Sequence, residues 1–247
     1  TCSTALQHAA GTGADVVFWP YVREFGNDRR SPRFLLNEDS VFEGEALRLL
    51  HRKIVGPVRE ELRDPSLLHS WGTVWGKLYK REVIGGTKFT DTRIVGSAED
   101  VLFNIEVFTR VRKAIYLNTP MYHYRKSQGS FTGGYNGALN DRWETLYSIM
   151  EELIDSGALP ADFKLALNNR VALGIIGQGL NECRSPRGIR GKIKMLEQIV
   201  SGRRYSQAAA GLTLDHFPIH WRLFFRAAKR KNAATLYILL RIMAKIK

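Results

Sequence analysis

Ser97-Ala98-Glu99-Asp100-Val101-Leu102-Phe103, a short way after Trp75-Gly76-Lys77-Leu78-Tyr79-Lys80-Arg81, is the stretch on which the fold and the chemistry turn. Ser97 is a good N-cap residue, and the S-x-x-D spacing predicts that both carboxylates stand in the first turn of a helix whose apolar run begins at Val101. Carboxylates there face exposed N–H groups and the positive end of the helix dipole. A carboxylate so placed is expected to stay ionised near neutrality, which suits a group that accepts a proton from an incoming hydroxyl. Acidic residues in a first turn are also ordinary helix chemistry, and the pair alone does not choose between these two meanings.

The order of the surrounding segments narrows the choice. Ala14-Asp15-Val16-Val17-Phe18 opens a stretch, Ala14 to Tyr21, that predicts a buried strand, because Val16, Val17, Phe18 and Trp19 form a short continuous apolar run. Then come Trp75-Gly76-Lys77-Leu78-Tyr79, Glu99-Asp100-Val101-Leu102-Phe103-Asn104, Ile115-Tyr116-Leu117-Asn118-Thr119-Pro120-Met121-Tyr122-His123-Tyr124-Arg125, and Gly129-Ser130-Phe131-Thr132. In this order, from about Ala14 to Thr132, they resemble the second half of a family-two, GT-A type bacterial glycosyltransferase, which typically shows a W-x-K-L-Y pattern in the second segment.

The resemblance implies an α/β fold: a partial GT-A domain over residues 1–135 that forms the acceptor-side half, followed by a basic, mainly α-helical C-terminal region over 136–247. It also implies a chain without the N-terminal nucleotide-binding half, since that half carries a D-x-D motif and no D-x-D occurs here. Such a chain is expected to be inactive alone. In the complete enzyme the implied reaction is inverting transfer of a sugar from a nucleotide-diphosphate donor to a carbohydrate or lipid-linked acceptor, in surface or capsular polysaccharide synthesis. A divalent metal, Mg or Mn, would neutralise the departing diphosphate.

The site residues carried over by resemblance are Asp100 as catalytic base, with Glu99, Trp75, Lys77, Arg125 and Ser130 on the substrates. His123 is implied as the group toward the metal or diphosphate. The bland meanings stand beside these: His123 as a surface histidine, and Trp75 as a core anchor rather than a platform for the C–H face of a sugar. For Trp71, core packing is the expectation.

Composition removes several classes. Cys2 and Cys183 are the only cysteines, which argues against a disulfide framework and for a reducing, cytoplasmic setting. No run approaches the about 20 apolar residues of a membrane span. Gly11-Thr12-Gly13 lacks the third glycine of a dinucleotide fingerprint, and Pro218 spoils the helical spacing of His216 and His220.

The charge is unevenly placed. From Arg184 to Lys247 there are fifteen Lys and Arg against Glu197 and Asp215, so this tail holds the whole net charge of +13. Two helical candidates lie in it, Trp221–Lys231 and Leu236–Lys247, both with apolar residues broken by cations. That pattern fits peripheral docking on an anionic membrane surface, at the inner face of the cell membrane, and equally fits helices that leave their charges in water. Nucleic acid is disfavoured, because Tyr205, Trp221 and Tyr237 show no interleaved reading pattern. A non-enzymatic membrane-surface or scaffold module that kept part of the fold is the competing function.

Elsewhere the spacing predicts helices over Glu43–Ile54, Ser70–Ile84, Asn140–Ile154 and Ala161–Cys183. The glycine-rich segment from Gly129 to Gly137 is expected to act as a lid or a connector. Tyr122 and Tyr124 are expected on one strand face, with His123 and Arg125 on the other.

Overall fold

The computed structural model describes residues 2–25, 28–29, 33–125 and 134–246. The chain forms two compact units. The first comprises residues 1–55, 67–92 and 97–133, and the second comprises 56–66, 93–96 and 134–247.

The first unit is mixed α/β. Helix α1 (Cys2–Thr12) leads into β1 (Val16–Phe18), β2 (Tyr21–Phe25), β3 (Asp28–Arg29) and β4 (Ser40–Glu43), followed by α2 (Gly44–Val55). After β5 (Lys77–Tyr79) come the short helices α3 (Arg81–Ile84) and α4 (Thr92–Val95), then α5 (Glu99–Phe108), β6 (Lys113–Tyr116) and β7 (Tyr122–Arg125). Helix α4 runs from this unit into the 93–96 piece of the second.

Four strands form one sheet in the order β4-β6-β1-β5. β1 is central, parallel to β6 with Val17 opposite Ile115, and antiparallel to β5 with Val17 opposite Leu78. A strand covered on both faces needs no alternation, and all three residues of β1 are buried. Val17 packs with Ala5, Ala14, Ile115 and Leu117. The ring of Phe18 meets those of Phe42, Trp71 and Tyr116.

A second sheet has the order β3-β2-β7, with β2 and β7 parallel and Val22 opposite His123. Pro20 separates β1 from β2, so the run expected as one strand is divided between two sheets. Along β7 exposure alternates, with Tyr122 and Tyr124 half-buried and His123 and Arg125 exposed.

The Ser70–Ile84 helix does not form. Gly76 stands at φ +77, a left-handed conformation that breaks a helix, and an added Cβ there would approach the Trp19 carbonyl at 3.3 Å. The Trp19 N–H donates to the Gly76 carbonyl at 3.1 Å, so Lys77, Leu78 and Tyr79 enter the sheet as β5. Only Arg81–Ile84 of the stretch is helical, and Gly85 at φ +56 ends it.

In the second unit the segment Arg59–Arg63 forms a 3-10 turn, and among the described residues six helices follow: α6 (Leu139–Ser156), α7 (Ala161–Cys183), α8 (Ile189–Ser201), α9 (Arg203–Gly211), α10 (Ile219–Lys229) and α11 (Ala233–Ile246). α7 is the axis of this unit. Phe163, Leu167, Val171 and Ile175, spaced by four, are all buried. Its glycines allow close packing: a Cβ at Gly177 would strike the Trp143 ring, and one at Gly179 would strike Leu240. Among the described residues no helix is long and apolar enough to cross a membrane.

Candidate active site

Helix α5 begins at Glu99, with Ala98 as the N-cap residue and no side-chain cap. Ser97 is exposed and does not cap, which corrects the capping-box expectation. Two glycines bring another partner to the helix start. Gly72 lies so close to α5 that an added Cβ would sit 2.6 Å from Cγ2 of Val101, and Gly76 turns the chain into β5. Residues 71–76 therefore wrap over the first turn of the helix.

Asp100 uses this wrap. Its Oδ2 accepts the Val74 N–H at 3.2 Å, and the residue is half-buried. Burial raises the carboxyl above its ordinary range, while the Val74 N–H and the positive charge of Lys77 oppose that rise. This direction is opposite to the one a helix N-terminus alone would impose, because desolvation outweighs the groups that favour the anion. A carboxyl moved toward neutrality is a stronger base than an exposed one.

Glu99, beside it, is half-buried and raised by burial, opposed by its own backbone N–H and raised further by the charge of Asp100. Its Oε2 is buried with no hydrogen-bond partner among the described residues.

Lys77, expected on a substrate, turns inward. Its ammonium folds back under the loop, donating to the Trp71 carbonyl at 3.0 Å and also to the Thr73 carbonyl. Burial lowers it to about 7, with the charge of Asp100 acting the other way. Trp71 is buried, its ring edge-on to Phe18 and under the Lys53 ammonium at 4.6 Å, as core packing requires. Trp75 is half-buried and set among three tyrosines: stacked on Tyr122 at 5.0 Å, tilted on Tyr124 at 5.2 Å and edge-on to Tyr21 at 4.7 Å.

Asn104 is the residue that spacing did not single out. It is fully buried, and its amide donates to the Gly72 carbonyl at 2.9 Å and to the Asp100 carbonyl at 2.8 Å. Its oxygen accepts the Tyr79 hydroxyl at 2.8 Å. One side chain thus ties the wrapped loop, strand β5 and the first turn of α5 together. An asparagine one turn after an acidic residue is the only sequence signal it leaves.

The remaining candidates stand on β7. His123 Nδ1 lies 2.7 Å from Glu24 Oε1 on the neighbouring strand, and Arg125 is exposed opposite Glu24 in register. Ser130, with most of the glycine-rich segment, lies outside the described residues. Among the described residues no group of three or more His, Cys, Asp or Glu is gathered as metal ligands would be. Asp100 faces a backbone N–H and His123 faces Glu24, so these side chains do not form a cation cage.

A cleft of about 700 Å³ lies within the helical unit, lined by α6, α7 and α9. Arg204 crosses its wall, donating to Glu144 at 2.7 Å and Glu151 at 2.6 Å. Its polar groups are largely paired with one another, as also for Lys164 with Asp155 at 2.7 Å.

No protein-family model matches the chain, and no curated protein does. Solved structures do match it, and what they share with the chain is a glycosyltransferase-like, mixed α/β fold. Among them are structures of S. aureus TarS. The structure of TarS 1–349 in complex with UDP-GlcNAc superposes with a TM-score of 0.57 at 15% identity, covering 100% of this chain and 64% of that one. A second TarS 1–349 structure gives 0.51 at 13% identity, covering 99% and 62%. The chain therefore spans somewhat less than two thirds of the TarS chains it matches.

Proposed function

We propose that this protein is a family-two, GT-A type glycosyltransferase that moves a sugar from a nucleotide-diphosphate donor to an acceptor hydroxyl, with residues 1–135 as the acceptor-side half. The observation that carries this reading is Asp100: a half-buried carboxylate, raised by desolvation, steadied by the Val74 N–H and set near the Lys77 charge. The likeness to a fold crystallised with UDP-GlcNAc supports a nucleotide-sugar donor.

In the proposed step Asp100 takes the proton of the acceptor hydroxyl while that oxygen bonds to the anomeric carbon. The bond from that carbon to the diphosphate oxygen breaks on the opposite face, and the diphosphate leaves with the electron pair. Attack from the far side inverts the anomeric centre. Glu99 is assigned to the acceptor sugar by resemblance. Trp75, among its tyrosines, offers an aromatic surface at the same loop. Arg125, His123 and Ser130 are assigned to the donor side by resemblance. The product class is surface or capsular polysaccharide, and a lipid-linked acceptor would place the reaction beside a membrane.

The test is Asp100→Asn in the complete enzyme, incubated with UDP-GlcNAc and other nucleotide sugars together with carbohydrate acceptors while nucleoside diphosphate release is followed. The amide keeps the acceptor oxygen for Val74, so the melting temperature is expected to stay within a few degrees. Turnover is expected to fall by about 10²-fold or more. Unchanged turnover would remove Asp100 from the role of base.

A further inference from the structure

The C-terminal helices have an outward face of unusual composition. On α10, Phe224, Phe225, Ala227 and Ala228 are buried, so the opposite side, with Ile219 and Leu223, is turned to solvent at 60% and 50% exposure. On α11, Leu236 and Leu240 are fully buried, and Ile238 and Ile242 stand outward at 59% and 51%. Each helix thus exposes two large branched side chains one turn apart. Trp221 packs its ring against Phe224 and Phe225 and is not part of this face.

Cations flank these side chains. Arg226 and Arg230 are exposed beside Ile219 and Leu223, and Arg241 and Lys245 are exposed beside Ile238 and Ile242. No Asp or Glu occurs anywhere after Asp215, so nothing on either helix neutralises them. A face for nucleic acid would favour rings over branched aliphatics.

We propose that the outer faces of α10 and α11 dock on an anionic lipid bilayer, with Ile219, Leu223, Ile238 and Ile242 entering the headgroup boundary and the flanking cations meeting lipid phosphates. The inference deepens the sugar-transfer reading and rests on it for its purpose, since a lipid-linked acceptor is presented at such a surface. α10 and α11 are too short and too charged to span the bilayer, so the docking is peripheral and reversible.

The experiment is sedimentation of the intact protein with vesicles of phosphatidylcholine alone and of phosphatidylcholine mixed with phosphatidylglycerol, at low and high salt. Binding is expected only to the anionic vesicles and is expected to weaken with salt. Two double variants separate the contributions: R226E/R230E alters charge alone, and L223Q/I242Q alters the apolar contact alone. Both change exposed positions, and melting curves confirm that they fold. Each is expected to weaken binding by about tenfold or more. Equal binding to neutral vesicles, no binding to anionic ones, unchanged binding in either variant, or preference for an RNA oligonucleotide over vesicles would overturn the proposal. Asp100→Asn must bind vesicles like the wild type, so failure of the base assignment and failure of docking are read in separate assays.

Discussion

Asn104 holds the carbonyl of Gly72 at 2.9 Å from the second turn of α5, and through that bond it fixes the loop whose Val74 N–H reaches Asp100. The geometry of the proposed base is therefore set by a neutral, buried side chain that need not touch a substrate.

Asn104→Ala is expected to lower stability by about 2–4 kcal/mol, because it leaves the Gly72 carbonyl and the Tyr79 hydroxyl without their buried partner. Urea unfolding measures that loss. Turnover should fall as well, since the loop no longer aims Val74 at Asp100. A variant with wild-type stability would mean that water replaces the amide and that the tie is dispensable.

Lys77 is expected to shift the acid limb of the pH profile that Asp100 gives. Asp100 accepts a proton only when ionised, so kcat/KM should fall as pH drops through its raised value. In that range Lys77, lowered only to about 7, carries its charge and pulls the Asp100 carboxyl down. Lys77→Gln keeps a donor for the Trp71 and Thr73 carbonyls but removes the charge. The limb should move to higher pH. A limb that stays in place, measured over the same buffers, would uncouple the two groups.

How much of this was legible in sequence depended on where the deciding contacts lie. β1 and α7 could be read locally, one from an unbroken Val16-Val17-Phe18 run and the other from Phe163, Leu167, Val171 and Ile175 repeating by four. The loop over α5 could not. Trp71, Val74, Trp75 and Leu78 have helical spacing, yet the conformation is decided by Gly76 at φ +77 and by pairing of Leu78 with Val17 far earlier in the chain. Helix α1 was missed for the opposite reason: it buries only Ala5, so it carries hardly any periodic signal. The pair Glu99-Asp100 was visible as a pair, but the direction of its proton affinity was not, because desolvation by a remote segment leaves no mark at positions 99 and 100.

The buried ammonium of Lys77 also makes stability depend on pH, and the sign follows from linkage. Its folded value is about 7 against an ordinary 10.5, so between these the unfolded chain binds the extra proton. Stability contributed by this position should rise with pH across that window, by at most about 1.4 kcal/mol per pH unit, and the full cost is present below it. Lys77→Met lacks the titration. The difference in urea-derived stability between wild type and this variant should therefore climb from about pH 7 to about pH 9 in favour of the wild type. A flat difference would show the ammonium to be solvated.

Gly72 and Val101 should be energetically coupled. An alanine Cβ at position 72 would lie 2.6 Å from Cγ2 of Val101, well inside contact distance, and Val101 is buried with little freedom at χ1. Gly72→Ala is thus expected to cost about 1–3 kcal/mol by overpacking, and Val101→Ala about 1–2 kcal/mol by leaving a small cavity. In the double variant the new methyl occupies the space the valine vacated. Its loss should fall short of the sum of the single losses by about 1 kcal/mol, a coupling that a urea-unfolding cycle resolves. The same cycle run on turnover tests the loop's purpose: Gly72→Ala lifts the 71–76 segment from α5 and takes the Val74 N–H away from Asp100, and Val101→Ala lets it settle back. Turnover that falls in Gly72→Ala and recovers in the double variant would tie the base to the seating of this loop, whereas additive losses in both measurements would leave the two residues as independent packing positions.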